Sequence, residues 1–300
     1  MANRRIFQAQ GLVTNGVAIG GMSTIGFNAA FRDVIQSTPD GAVGVEDVDR
    51  AGLRVGVSLQ CTDVTKVNAI LDAASPLLDT TFSSKESGAA DWHHYTVPGI
   101  LWTGMNLGLN KNGDATLRLD GVVRFPNSTD GLAQIIALTG GNPTPPTLTY
   151  PARLYRPFQA SFTPDGASEI TPLHTESLNL ALAANVLEDY ADADVGHTAV
   201  DIAGWNALQV THVYRDALAV AGSDVSAQIL GGARGVLAVS LKGRGGAADQ
   251  VLTINNVLWT GCDSNHQAGY TDFSMPGVAG WKNGATVYGL NSGAKLFGFA

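Results

Sequence analysis

Charge is scarce in this sequence. Of 300 residues, 18 are Lys or Arg and 26 are Asp or Glu, a charged fraction of 15%. Disorder is excluded, because it needs high charge with low hydrophobicity, and hydrophobic types here reach 45%. The balance is acidic, with a formal net charge of -8. A grip on nucleic-acid phosphates takes clustered Lys and Arg, so none is expected. An acidic wall that repels DNA is a different matter, and the composition allows it. Cysteine is almost absent: Cys61 and Cys262 are the only two. They occupy unrelated places, so they form no repeated metal or disulfide device, and both are expected to be buried free thiols. No apolar run approaches the roughly 18 residues of a membrane-spanning helix. Arg4 and Arg5 near the N-terminus have no apolar stretch behind them, so the expectation is a chain made in the cytoplasm, without a standard export signal and without a membrane partner.

Motifs that carry chemistry are missing as well. No P-loop sequence occurs, and Gly21-Met22-Ser23-Thr24-Ile25-Gly26 is one residue too long for a nucleophile elbow. Gly243-x-Gly245-x-x-Ala248 has the spacing of a dinucleotide-binding loop, but Val251–Trp259 behind it reads as strand, whereas pyrophosphate binding needs a helix N-terminus there. Glu188, Asp189, Asp192, Asp194 and His197 crowd into ten residues, yet they lack the central Gly and distal bidentate Glu of a calcium loop. They read as a solvated acidic loop. His93 and His94, as neighbours on a strand, point to opposite faces. The expectation is no enzyme, no cofactor and no metal.

What is present is repetition. Gly88-Ala89-Ala90-Asp91 returns as Gly246-Ala247-Ala248-Asp249, and Leu101-Trp102-Thr103-Gly104 returns as Leu258-Trp259-Thr260-Gly261, at offsets of 158 and 157 residues. Asp120-Gly121-Val122 is echoed by Pro276-Gly277-Val278, and Ala51-Gly52 by Ala203-Gly204. Two identical tetrapeptides kept in order at almost one spacing mark a tandem duplication of a unit of about 150 residues. The length suits two domains of ordinary size, and 36 Gly among many apolar residues suit a β-rich chain with many turns.

The pass along the chain predicts a mainly β (α+β) fold: two tandem β-sandwich or barrel domains, each with a short helix. Residues 1–15 read as an N-terminal arm, 16–139 as the first domain, 140–150 as a Gly/Pro linker, and 151–300 as the second domain with a C-terminal arm. Leu53, Val55, Val57 and Leu59 alternate as a half-buried strand. Asp63 caps a short helix with Val64, Val67, Ile70 and Leu71 on its apolar face. Asn110-Lys111-Asn112-Gly113 is a hairpin turn. Residues 35–50 read as an acidic loop carrying Glu46, Asp47 and Asp49, residues 129–139 and Leu178–Glu188 as helices, and Ser223–Leu230 as a second short helix. The apolar C-terminus is expected to dock on its own domain or on a neighbour. Trp102, Gly104, Trp259 and Gly261, the ends of the repeated tetrapeptides, are the candidate core or interface anchors.

In its duplicated β domains, Gly-rich strands, extended arms and acidic loops, the chain resembles the major tail tube proteins of long-tailed bacteriophages. The resemblance spans about residues 16–300 and implies a virion structural subunit. Homotrimeric rings of pseudo-sixfold symmetry would stack into a tube, with tape measure and terminator proteins as further partners. DNA would pass without specific binding along a lumen or stacking loops bearing Glu46, Asp47, Asp49, Glu188, Asp189, Asp192 and Asp194. The alternatives are a head decoration or tail-tip subunit, a β-sandwich carbohydrate-binding module built on the Trp pair, and a hydrolase whose triad only the fold would assemble.

Overall fold

The computed structural model describes residues 7–14, 17–19, 22–37, 45–71, 77–86, 92–124, 137–142, 154–189, 199–216, 232–244, 247–280 and 296–299. In the first half the strands are β1 (Phe7–Thr14), β2 (Val17–Ile19), β3 (Met22–Ser37), β4 (Val45–Cys61), β5 (Leu77–Glu86), β6 (Trp92–Asn110), β7 (Thr116–Val123) and β8 (Ala137–Asn142). In the second they are β9 (Leu154–Pro164), β10 (Ile170–Asp189), β11 (Ala199–Trp205), β12 (Leu208–Asp216), β13 (Arg234–Arg244), β14 (Gln250–Trp259), β15 (Asp263–Gln267), β16 (Tyr270–Ala279) and β17 (Phe297–Phe299). The fold is mainly β and every pairing is antiparallel. Among the described residues the one α-helix is α1 (Val67–Leu71), entered through a single 3-10 turn at Val64–Lys66.

The two halves pair their strands in the same order. In the first, β1 pairs β5, β5 pairs β6, β6 pairs β7, β7 pairs β4, and β4 pairs β3. In the second, β9 pairs β13, β13 pairs β14, β14 pairs β16, β16 pairs β12, and β12 pairs β10, with β11 extending β12 along β10. The second set closes on itself through β9 and β10. Period-two alternation drives this packing, since one face of each strand must leave water. Val55, Val57 and Leu59 are buried between exposed or half-buried neighbours, as are Leu237, Val239 and Leu241. Most buried apolar side chains of both halves form one contiguous core, and Leu101, Val122, Val200 and Ile202 form a separate small cluster.

The halves also join as a sheet. The C-terminal part of β6 pairs with the middle of β10, from Gly104 opposite Ala183 to Asn110 opposite Ser177. A continuous run therefore crosses the whole molecule in the order β3-β4-β7-β6-β10-β12-β16-β15.

Several expectations change against this frame. Leu178–Glu188 is strand, not helix: Leu178, Leu180 and Leu182 are buried while Asn179 and Ala183 are exposed, and that period of two overrides the helix propensity of Ala and Leu. Much of residues 35–50 belongs to a long hairpin, paired from Met22 opposite Cys61 to Ser37 opposite Val45. The ladder with β3 holds Asp47 and Asp49 in β4 despite the poor strand propensity of acidic residues, and Glu46 sits at an irregularity between Val45 and Asp47. The expected arm at 1–15 is strand from Phe7 to Thr14, held by β5 and β2. Residues 137–142 are the strand β8 against Trp92–Thr96, so the segment read as helix ends in strand and the Gly140-Gly141 linker signal lies in a sheet edge. Asn112 and Gly113 make the expected turn, bonding back to Asn110 at 2.9 and 3.1 Å. Val64, Val67, Ile70 and Leu71 are buried as expected, but Asp63 gives no side-chain cap and instead accepts from the Thr65 hydroxyl at 3.0 Å. The C-terminus docks on its own chain, Phe297–Phe299 pairing with Leu252–Ile254. Cys61 is buried but Cys262 is exposed, because it lies just before β15, whose residues are all exposed. The expected helix at 223–230 lies outside the described residues.

Candidate functional site

The repeated tetrapeptides build the same device twice. Trp102 stands opposite Gly121 across the β6–β7 ladder, and Trp259 stands opposite Gly277 across β14–β16. Each indole lies over the facing glycine, where a Cβ would come within 3.1 Å of Trp102 Cε3 or 2.8 Å of Trp259 Cε3. Both indoles are 3% exposed, so the glycine is what makes room for the ring in the core. The next residue is displaced from the ladder in both copies. Thr103 donates to the Asp120 carbonyl at 3.3 Å, and Thr260 to the Pro276 carbonyl at 3.1 Å. Gly104 then restarts the strand on the far side of the irregularity, close to Leu182 O and Asp120, whereas Gly261 lies in the short break between β14 and β15, close to the Pro276 ring. A bulge earlier in the same strand also recurs. Gly99 and Asn256, at φ of 61° and 57°, occupy the left-handed position, and their carbonyls accept from Arg124 N and Gly280 N at 2.9 and 3.4 Å. Trp102 and Trp259 are thus matching core positions of the two halves, while Gly104 and Gly261 stay half-buried.

The junction between the frames is a second feature. Its core side is Leu178, Leu180 and Leu182 on β10 against Leu109, Leu107 and Met105 on β6, none more than 3% exposed. Beyond it the end of β10 and β11 form a hairpin arm that reaches back over the first half. Val200 and Ile202 of the arm bury Leu101 and Val122, with Ala184, Val186 and Trp205 around them. Glu188 near the arm's tip accepts from Arg54 Nε at 2.8 Å.

The face of the crossing sheet turned away from the core is polar. It presents Asn28, Gln60, Asn106, Asn179, Gln209, Thr211, Asp263, Asn265 and Gln267, and two of its arginines are paired with carboxylates. Arg118 pairs with Asp120 at 3.1 Å, and Arg215 holds Asp272 through two bonds of 2.8 and 3.2 Å. The Asp272 carboxylate and nearby Glu176 push the Arg215 guanidinium further up. An open concavity of about 400 Å³ lies on this face between Asn28, Arg54, Ser58, Arg118 and Asp120.

No known protein family matches this chain, and neither does any curated protein. The molecule's own internal comparison therefore carries the functional reading.

Glu46, Asp47 and Asp49 lie at the start of β4, in the outer part of the β3–β4 hairpin, and Glu188 and Asp189 close β10 in the β10–β11 arm. Asp192 and Asp194 lie outside the described residues. Sequence reasoning missed the junction leucines, hidden by the helix assignment, and His212. That residue sits in the core at the position Leu59 holds in the first half, facing Trp259 and Tyr214 with ring centroids 6.3 and 5.7 Å away. The Thr175 hydroxyl lies 3.1 Å from its Nε2, and burial pulls its pKa down to about 4. It is a neutral core residue at ordinary pH.

Proposed function

We propose that this chain is a self-assembling structural subunit of the phage tail tube kind, in which the crossing sheet is a segment of the tube wall. One observation carries the reading. The sheet runs through two equivalent frames, keeps the apolar core on one side, and shows on the other a face of amides, hydroxyls and neutralised ion pairs. Such a face offers DNA few net positive charges to bind, so phosphates would slide past without being held. The strand-by-strand equivalence of the halves supports an internal duplication, which lets a ring close with half as many chains as it has frames. A binding module or a hydrolase has no need of a sheet that passes from one frame to the next.

Negative-stain electron microscopy of the purified protein at high concentration tests the reading. Rings or hollow tubes, with twice as many density lobes per ring as chains, are expected. Uniform monomers at every concentration, together with affinity for a soluble glycan, would replace it with the carbohydrate-binding alternative.

A further inference from the structure

The internal junction has two ends left over. Among the described residues no strand pairs with the outer edge of β3, and none with the outer edge of β15. These are the counterparts of the two strands that meet inside the chain. Phe27 is opposite Val57 as Leu180 is opposite Val210, so β3 stands where β10 stands. Ser264 is opposite Phe273 as Leu107 is opposite Leu117, so β15 stands where the end of β6 stands. An open strand edge is a template for another strand, and here the chain itself shows which strand fits.

We propose that β3 of one copy pairs antiparallel with β15 of the next, in the register of the β10–β6 junction. That register places Asn28 opposite Asp263, Thr24 opposite Gln267 and Phe27 opposite Ser264. The inference rests on the self-assembly reading above but not on what the assembly encloses.

A second observation points to the same contact. Leu101 and Val122 are at most 2% exposed because the β10–β11 arm lies on them, whereas their counterparts Leu258 and Val278 remain half-buried, with no arm over them among the described residues. The β3–β4 hairpin is the counterpart of that arm, since Ala30 opposite Arg54 corresponds to Ala183 near Asn206. Copies joined at β3 and β15 bring this hairpin over Leu258 and Val278 of the next chain. The same step also covers β15, exposed at all five residues in the single chain.

The polar-face pair gives the test. In a Cys262→Ser background, Asn28→Cys with Asp263→Cys is oxidised after assembly. Cys61 stays silent, since burial pushes its thiol up to about 12. Facing positions of an antiparallel pair lie within disulfide reach, so intermolecular links are expected, identified as 28–263 by mass spectrometry. The ladder of linked chains should stop at the number of chains in one ring. Asn28→Cys with Ser264→Cys, one residue off and on the opposite face, should give only background. Thr24→Cys with Gln267→Cys repeats the in-register test should the first pair fail to fold. Rings or tubes in micrographs with no 28–263 or 24–267 link, or with equal linking of the off-register pair, would overturn this contact and leave the tube reading standing. Folded monomers that never link would overturn both.

Discussion

Alanine at the two facing glycines is the sharpest test of the repeated frame. On Gly121 the new Cβ would stand 2.9 Å from the Leu101 carbonyl oxygen and 3.0 Å from Ile100 Cγ2, besides the Trp102 ring. On Gly277 it would stand 2.9 Å from the Leu258 carbonyl oxygen and 2.8 Å from the Trp259 ring. Ordinary contact needs roughly half an ångström more, and the obstacle is a ladder carbonyl that cannot swing aside. Overpacking of this kind costs about 1–3 kcal/mol. The lost backbone freedom of the unfolded chain offsets about 0.4–1 kcal/mol. Each substitution should therefore destabilise by about 1–2 kcal/mol, and at a urea slope of about 3 kcal/mol per molar the midpoint should fall by roughly 0.5 M. Gly204→Ala is the control, because a Cβ there meets nothing within 4 Å. Urea titrations followed by tryptophan fluorescence would measure all three. Midpoints for Gly121→Ala and Gly277→Ala no lower than that of Gly204→Ala would refute the claim that the indoles pack on glycine. A loss at one site alone would refute the energetic equivalence of the two frames.

Two further outcomes follow from single residues. The folded pKa of His212, about 4, lies below its ordinary value of 6.5, so acid protonates the unfolded chain first and stability drains as pH falls from about 6.5 to about 4. The loss should reach about 2 kcal/mol by pH 5 and about 3 kcal/mol by pH 4, visible as a fall in urea midpoint that a His212→Leu variant, copying the residue at 59, does not share. Asn256 holds a left-handed conformation that its counterpart Gly99 holds without a side chain. Asn256→Gly should stay within about 1 kcal/mol of wild type, while Asn256→Ala should lose about 1–2 kcal/mol through backbone strain and the lost bond to Gly280 O, read as a lower melting temperature.

The β class and most strands were legible because they rest on local signals. Alternation at Val55, Val57 and Leu59 and the Asn110–Gly113 turn act within a few residues, and the folded chain uses both as written. The Trp tetrapeptide was legible as an anchor, yet not as half of a Trp–Gly pair, since Gly121 and Gly277 are separated from it by a whole hairpin. The echo around those two glycines held that information in the sequence. Errors gathered where a distant partner decides. Gly140-Gly141 looks like a linker until Trp92–Thr96 pairs with the residues on either side of it, and Asp47–Asp49 look like a loop until β3 supplies their ladder. His212 was invisible because its burial comes from strands on both sides.

The helix misassigned at Leu178–Glu188 bears most on assembly. Ala and Leu favour helix locally, and only pairing on both edges, by β6 and by β12, forces this segment to stay extended. Its counterpart β3 has β4 on one edge and, among the described residues, no strand on the other. The internal junction joins unlike edges, so repeating it between molecules is head-to-tail, and a head-to-tail contact either closes into a ring or runs on as a filament. An isologous pairing of β3 with β3 would instead stop at a dimer and leave β15, Leu258 and Val278 uncovered. The chain already performs the step once within itself, between frames of the same pairing order, and each copy added would repeat it.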